Sequence, residues 1–265
     1  MPTFKLALAQ IPVIGGQPAE NLQCALDAIA RAGQAGAAII LLPEALDCGW
    51  CHGSALTDAG PIPNGQTCLL LREAAKSHGL YVCAGLVERA EDCIFNSAVL
   101  ISPTGEILLH HRKINELELA QHLYARGDRL AVAHTALGTL GLMICADGFA
   151  NGQVISRTLG QMGAQLILSP CAWAVPPDHD NHLTPYGHLW LDNYGPVARE
   201  YHLWIAAASN VGRVTDGEWT GHHCIGSSLV MDPHGHPALR GPYGRDAAAL
   251  LFVEITLAGE VSVAK

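Results

Sequence analysis

The sequence predicts an α/β protein in which two mixed β-sheets pack face to face, with helices covering their outer surfaces. Short apolar runs typical of buried strands are interspersed with segments of helical periodicity. Several neighbouring strands are joined by turns too short to hold a helix, which argues against a barrel in which a helix follows every strand. Two mixed sheets with outer helices fit this order. No repeat and no low-complexity linker divides the chain, so residues 1–265 are predicted to form one domain.

The first half of the chain alternates between the two kinds of element. Residues 21–36 carry Leu22, Ala25, Leu26 and Ile29 at helical spacing, and 37–43 form the continuous apolar run of a strand covered on both faces. A Pro-Thr-Gly turn at 103–105 separates two further strands. In order, the sequence predicts a strand over 4–13, a helix over 21–36, a strand over 37–43, a helix over 66–78, and strands over 80–87, 96–102 and 106–111.

The second half repeats this mixture. A turn sequence at 232–235, Asp-Pro-His-Gly, follows one of the last strands. In order, the sequence predicts a strand over 137–144, a helix over 152–163, a strand over 164–168, a helix over 185–202, and strands over 204–209, 226–231 and 248–255.

Composition narrows the classes of partner. Fifteen basic and 24 acidic residues give a formal charge of −9, which disfavours nucleic acid and anionic membranes, although 14 His soften the balance at mildly acidic pH. No apolar run reaches the roughly 18 residues of a membrane span. The N-terminus has no basic signal region, and the nine Cys are an odd number. We therefore expect reduced thiols in a cytoplasmic protein.

Three apolar runs end on reactive side chains. The run at 38–44 ends on Glu44, the run at 107–113 on Lys113, and the run at 140–145 on Cys145. If these strands share one edge, a base, a cation and a nucleophile meet there, which is what acyl transfer requires. Taken singly, each also has an ordinary explanation, as a buried thiol, a loop carboxylate or a solvated cation.

The chemistry assigns a role to each group. A free Cys is only a few per cent thiolate at pH 7, and making it fully ionised costs roughly 2 kcal/mol. Glu44 is suited to take the proton, and Lys113 to favour the anion and to hold the oxyanion of a tetrahedral intermediate. The chain turns just after Cys145, so the backbone N–H of Ala146 is a candidate second donor.

Many short motifs in this chain follow the order found in one known family. They are Gln10, Pro43-Glu44, 85–88, Asn96-Ser97-Ala98, Gly105-Glu106, His111-Arg112-Lys113, Gly127-Asp128, 141–147, Arg157, Gly163-Ala164, Ala172-Trp173, 208–212, 226–228 and 232–235. On these residues the chain resembles the nitrilase superfamily, the carbon–nitrogen hydrolases with a Glu-Lys-Cys triad, over almost its whole length.

The resemblance implies a four-layer α-β-β-α sandwich that assembles as a homodimer or larger homo-oligomer through its outer helices. It implies that Cys145 is the nucleophile, Glu44 the general base and Lys113 the stabiliser of the tetrahedral intermediate. The reaction would be hydrolysis through a thioester acyl-enzyme with release of ammonia or an amine. No metal and no organic cofactor is expected.

Differences from the family pattern bear on the substrate. The chain has Cys145-Ala146-Asp147 where true nitrilases carry Cys-Trp-Glu, and it lacks the Arg pair of the D-carbamoylases. Both absences favour an amidase acting on a small linear amide, with N-carbamoyl amides and nitriles as alternatives. Trp173 is a candidate pocket residue, with a core aromatic as the alternative. The polar segment 178–188 is a candidate lid or interface loop.

Two positions near the candidate catalytic residues differ from the family pattern. Gln153 stands where a Glu is usual. Glu118 is the nearest candidate for a second, supporting glutamate, although it lies about two residues too far upstream, and Glu116 competes with it. A solvated helix face explains either residue equally well. These departures leave open a non-catalytic binding protein on the same fold.

Other motifs suggest different chemistry. The segment 48–52, Cys-Gly-Trp-Cys-His, matches a haem attachment signature and a redox dithiol of Cys48 and Cys51. Haem attachment accompanies export, and a redox pair needs its first Cys at a helix N-terminus, whereas the glycines here predict a loop. The pairs at 222–224 and 234–236 resemble metal ligands but have no regular second pair. Chance spacing is the preferred interpretation of the motif at 48–52, and polar residues of the surface or of a pocket are the preferred interpretation of 222–224 and 234–236.

Overall fold

A computed structural model describes residues 3–257 and contains two six-stranded mixed sheets. The strands are β1 (Thr3–Gln10), β2 (Ile39–Leu41), β3 (Tyr81–Ala90), β4 (Cys93–Ile101), β5 (Ile107–Arg112), β6 (Val132–Thr135), β7 (Gly138–Leu142), β8 (Leu166–Cys171), β9 (Ala174–Val175), β10 (Trp204–Ser209), β11 (Val211–Arg213), β12 (His223–Ile225), β13 (Leu229–Met231), β14 (Pro237–Arg240) and β15 (Ala249–Thr256). The helices are α1 (Pro18–Gln34), α2 (Ala55–Asp58), α3 (Gln66–His78), α4 (Val154–Gln161) and α5 (His188–Tyr201). Turns of 3₁₀ helix cover Glu118–Ala120, Cys145–Phe149 and Asn151–Gln153.

Both large sheets have parallel strands at their centres. The first has the order β15-β1-β2-β3-β4-β5 and the second β14-β13-β10-β8-β7-β6, while β11, β12 and β9 form a small third sheet. The pairs β1–β2, β2–β3, β7–β8 and β8–β10 are parallel, and the outer pairs are antiparallel. Strands β2, β3 and β5 therefore run in one direction, and their carboxyl ends meet at one edge of the first sheet.

Side-chain alternation along the strands builds the layers. In β1, Leu6 and Leu8 belong to the core that includes the second sheet, whereas Ala7 and Ala9 belong to the core shared with α1 and α3. This period of two places successive residues on opposite faces of the first sheet. Helices α4 and α5 contribute Leu159 and other residues to the core of the second sheet. The predicted four-layer α-β-β-α sandwich with two mixed sheets is confirmed.

Residues at the ends of α1 and α3, the helices on the first sheet, favour the start or the end of a helix. Helix α1 has Pro18 in its first turn, where a missing backbone N–H costs no hydrogen bond, and buries Ala25, Ala28 and Ile29 on one face. Helix α3 ends at Gly79, which adopts a left-handed conformation (φ 65°) and donates its N–H to the carbonyl of Ala75.

Most predicted elements are present, with differences at their ends. The helix at 66–78 and the strand at 204–209 have the predicted bounds, but β2 is only three residues long and α5 begins at His188. The short strands β6, β9, β11, β12 and β14 were not predicted, because runs of two to four residues have too little periodicity to recognise. The predicted domain limits, residues 1 and 265, lie outside the described residues. None of the helices between residues 3 and 257 has the length and apolarity that a membrane crossing requires.

Candidate active site

Glu44, Lys113 and Cys145 line one cavity of about 320 Å³. Glu44 follows β2, Lys113 follows β5 directly, and Cys145 begins the 3₁₀ turn after β7. The first two therefore come from the carboxyl edge of one sheet and the third from the facing sheet. The predicted convergence of these strand ends is present in the structure.

The Glu44 carboxylate is held by two donors. Its Oε1 atom accepts hydrogen bonds from Lys113 Nζ at 2.7 Å and from Asn96 Nδ2 at 2.7 Å. Both charged side chains are about 1% exposed, so the ion pair is almost completely removed from water. Gly85 lets the backbone before Glu44 approach closely, since a Cβ there would lie 2.5 Å from Glu44 Cα.

The second glutamate near Lys113 is Glu116, and the prediction of Glu118 is wrong on geometry. Glu116 Oε2 lies 3.4 Å from Lys113 Nζ, and its side chain is 3% exposed. Glu118 is exposed on the 3₁₀ turn that follows. Spacing in the sequence could not distinguish them, because the chain leaves β5 irregularly and only one of the two acids points back to the ammonium.

Burial and neighbouring charges shift the pKa values of Lys113 and Glu116. Burial alone would lower the pKa of Lys113, but the negative charges of Glu44 and Glu116 outweigh it, so that the pKa lies well above its usual range. Burial raises the pKa of Glu116 to about 7, with Lys113 opposing the shift and Glu44 adding to it. Lys113 therefore remains an ammonium at neutral pH, while Glu116 titrates near neutrality.

Cys145 sits in a left-handed backbone conformation (φ 43°) and is 9% exposed. Its backbone N–H donates to Ser169 Oγ at 3.1 Å, which fixes the start of the turn. Burial raises the pKa of the Cys145 thiol well above its usual value, helped by the neighbouring thiol of Cys171 and the charge of Glu44 and opposed by Lys113. The resting thiol is therefore protonated, and its attack on a carbonyl needs a base.

Asp147 joins the nucleophile turn to the segment after Lys113. Burial would raise the pKa of Asp147, but hydrogen bonds from His111 and from the backbone keep the pKa below its usual value. Its carboxylate oxygens accept the N–H groups of Ile114 (3.1 Å), Asn115 (2.8 Å) and Ile144 (3.0 Å), and contact His111 Nε2 (2.8 Å). One buried carboxylate thus fixes the spacing between the ammonium and the thiol.

No pattern in the sequence assigns a role to Asn96, His111 or Asp147. A signal was present for His111, which lies two residues before Lys113, the spacing that places two residues on one face of an extended chain. His110 and Arg112 alternate with it and bind Glu88 at 2.8 and 2.7 Å. The partner of His111 follows Cys145 by two residues, and only the fold brings them together.

Aromatic rings form most of the remaining cavity wall. Trp173 lines the cavity as predicted, and it stacks on Trp190 with ring centroids 4.5 Å apart. Ala146 also lines it, where its small side chain leaves room beside Cys145. The other lining aromatics are Trp50, Phe149, Tyr186 and Trp219.

Gln153 does not lie at the cavity. It occupies the turn before α4, where its Nε2 donates to Asn193 Oδ1 at 2.9 Å. The missing Glu at this position therefore does not remove a group from the cavity wall.

The alternative motifs find little support in the structure. Cys48 and Cys51 are buried, and burial raises the pKa of both thiols, that of Cys51 to about 12, which is opposite to the lowered pKa of a redox thiol. Cys48 does not begin a helix. Across residues 3–257, no group of three or more His, Cys, Asp and Glu side chains is placed to hold a metal ion.

Comparison with known proteins gives the family. The chain matches the family model described as carbon-nitrogen hydrolase over residues 5–265. A nitrilase from Pyrococcus abyssi is 30% identical over 222 residues, which cover 82% of this chain and 77% of that protein. An (R)-stereoselective amidase from Pseudomonas sp is 28% identical over 244 residues, covering 92% of this chain and 82% of that protein.

A solved structure has the same fold. An amidase of the nitrilase superfamily from Nesterenkonia AN1 superposes with a TM-score of 0.80 at 23% identity, covering 95% of this chain and 90% of that one. The family match and the shared fold agree with the resemblance seen in the sequence. The chain therefore belongs to the carbon–nitrogen hydrolase family of the nitrilase superfamily and acts on C–N bonds other than peptide bonds.

Proposed function

We propose that this protein is an amidase that cleaves the C–N bond of a small linear amide through a thioester on Cys145. The observation that carries the proposal is the buried pair of Glu44 and Lys113, 2.7 Å apart, which lines the same cavity as Cys145. A paired base and cation beside a protonated thiol are the groups that acyl transfer to sulfur needs.

The proposed reaction has two halves. Glu44 removes the proton from Cys145 Sγ as the sulfur attacks the amide carbon, and the carbonyl oxygen becomes an oxyanion. The Lys113 ammonium and the backbone N–H of Ala146 stabilise that charge. The C–N bond then breaks as the proton passes from Glu44 to the nitrogen, which releases ammonia or an amine and leaves the thioester.

Water completes the cycle. Glu44, which is a carboxylate again, takes a proton from a water molecule while the water oxygen attacks the thioester carbon. The second oxyanion meets the same donors, and the C–S bond breaks as the proton passes from Glu44 to the sulfur, which releases the carboxylic acid and restores the thiol. Glu116 supports the cycle by contributing a second carboxylate beside Lys113, which keeps the ammonium in place.

Ammonia release from a panel of small amides, N-carbamoyl amides and nitriles tests the proposal. Cys145→Ala is expected to abolish turnover and Cys68→Ala, which removes another buried thiol on α3, to preserve it. Intact-mass measurement should detect an acyl adduct in the wild type and not in Cys145→Ala. Full turnover by Cys145→Ala would show that the nucleophile is wrongly assigned.

Assembly and location stay predictions. We expect a homodimer or larger homo-oligomer formed through the outer helices, where Leu69 on α3, and Val154 and Met162 on and just after α4, are exposed. Light scattering measures the mass directly. We also expect a cytoplasmic location, which cell fractionation tests.

A further inference from the structure

We propose that the acyl group of the substrate is uncharged and apolar, a single aromatic ring or a branched hydrocarbon of similar size next to the amide. The proposal rests on the amidase function above and specifies what occupies the cavity beside Cys145. It follows from the chemistry of the cavity wall, which is dominated by ring surface.

Ring surface surrounds the space into which the reactive groups face. Six aromatic side chains line the cavity: Trp50, Phe149, Trp173, Tyr186, Trp190 and Trp219. Leu117 and Leu189 add aliphatic surface. Aromatic walls of this kind favour apolar ligands, and above all rings that pack edge-to-face or offset against them.

The cavity offers no free charge to a charged substrate. Within the described part of the chain, the ionised side chains on its wall are Glu44 and Lys113, and these neutralise each other at 2.7 Å. Glu116 already places a second carboxylate 3.4 Å from the same ammonium. A substrate carboxylate would lose its water and meet no available cation, which strongly disfavours binding.

An organic cation is also disfavoured, although aromatic faces attract cations. Several of these rings already have one face covered. Trp173 and Trp190 stack on each other at 4.5 Å, and Trp219 stacks on His222 at 5.2 Å. The Lys113 ammonium lies 5.9 Å from the centre of the Trp50 ring. The arrangement is a packed aromatic wall, not an open cage around one point.

The size of the cavity limits the acyl group. Its volume of about 320 Å³ lies at the lower end of the roughly 300–1,000 Å³ that small-molecule pockets span. One ring or a compact branched chain fits in such a space beside the amide. Acetamide would leave most of the aromatic wall without a partner.

Matched amides separate the three substrate classes. Phenylacetamide and tert-butylacetamide represent the proposed class, and acetamide gives the basal rate. Succinamate is compared with isocaproamide, in which an isopropyl group replaces the carboxylate. Betaine amide is compared with tert-butylacetamide, because trimethylammonium and tert-butyl groups have the same shape.

We expect kcat/KM at least about ten-fold higher for phenylacetamide than for acetamide, since one methylene in a hydrophobic pocket is worth about 10–200-fold. Succinamate should fall at least about 100-fold below isocaproamide. Preference for succinamate or betaine amide over its apolar partner would overturn the inference. In that case ammonia release would still support the amidase, whereas no release from any amide would contradict the proposed function itself.

Binding tests the inference without turnover. Four of the five tryptophans line the cavity, so Cys145→Ala should change its fluorescence on binding of phenylacetamide. Betaine amide must be compared in this assay as well, because its positive charge activates the carbonyl and affects rates. Tighter binding of betaine amide than of tert-butylacetamide would contradict the proposal.

A charge placed on the wall should change the preference. Leu189 lines the cavity and is 50% exposed on the first turn of α5, so an Arg there can be accommodated. We expect Leu189→Arg to raise the kcat/KM ratio of succinamate to isocaproamide at least about ten-fold. Leu56→Arg, at a 61% exposed position on α2 away from the cavity wall, adds the same charge and should leave the ratio unchanged. An equal change in both variants would refute a role for the wall.

Discussion

Replacing Lys113 with Met tests whether one buried ammonium holds the site together. Lys113 Nζ lies 2.7 Å from Glu44 Oε1 and 3.4 Å from Glu116 Oε2, and all three side chains are at most 3% exposed. Methionine has a similar length and no charge, so the cavity stays filled while two buried carboxyl groups lose their cation. Removing one partner of a buried ion pair destabilises a protein by about 3–5 kcal/mol.

The loss of stability should depend on pH in a defined direction. The pKa of Glu116 is about 7 because burial raises it, and Lys113 is the main group that lowers it. In Lys113→Met this pKa rises further above its unfolded value near 4.5, so the folded variant keeps a proton that the unfolded chain releases. In the wild type, the titration of Glu116 lowers stability only up to about pH 7. In the variant, the same titration continues above pH 7 and lowers stability by up to about 1.36 kcal/mol per pH unit.

Urea unfolding followed by circular dichroism, at about pH 6 and about pH 8.5, measures this difference. Lys76→Met is the matched control, since Lys76 is 49% exposed and pairs only with exposed Glu73, and it should change stability by less than about 0.5 kcal/mol. The added variant Lys113→Met/Glu116→Gln should lose the share of the pH dependence that Glu116 contributes. A loss below about 1 kcal/mol, or one that shrinks as pH rises, would refute the reasoning. Turnover of Lys113→Met should fall by about 10²–10³.

Three further predictions follow from the same contacts. Glu116→Gln should lower kcat by about 10²-fold, because the carboxylate positions Lys113, whereas exposed Glu118→Gln should keep the wild-type rate in the ammonia assay. Gly85→Ala should destabilise the fold by about 1–3 kcal/mol in urea unfolding, since its Cβ would press on the backbone of Glu44; a neutral result would mean that this loop moves freely. Burial alone would raise the pKa of Glu88, but hydrogen bonds from His110, Arg112 and Ser97 lower it to about 2. The carboxylate therefore stabilises the fold fully above its unfolded pKa near 4.5, and this stabilisation disappears as the pH falls towards 2. The advantage of the wild type over Glu88→Gln, about 1–2 kcal/mol because Arg112 is 33% exposed, should therefore vanish over that range; an advantage that persists at pH 2 would contradict the lowered pKa.

Local sequence was sufficient for the long elements. The helix at 66–78 has the right bounds because its apolar residues recur at helical spacing and Gly79 supplies the left-handed residue that ends it. The strand at 204–209 was recognisable because residues 204–208 are all apolar. Strands such as β9 and β12 form through pairing with distant residues, and no pattern within two or three residues predicts that pairing.

Some residues of the candidate site were likewise predictable from local sequence, and others were not. Glu44, Lys113 and Cys145 were found because each ends an apolar run, and Trp173 because of its place after the strand that follows Cys145. The sequence left the choice between Glu116 and Glu118 open, because the segment after β5 is irregular and its direction depends on Asp147, which belongs to another strand end.

The sequence by itself determined the fold class and the three strand ends, because hydrophobic periodicity and chain order are local properties. The tertiary structure decided everything that depends on distance between remote residues. It placed Glu44 2.7 Å from Lys113, selected Glu116 as the second acid, and closed an aromatic wall around Cys145. The physical reason is that burial and charge pairing arise only when segments far apart in the chain exclude water together.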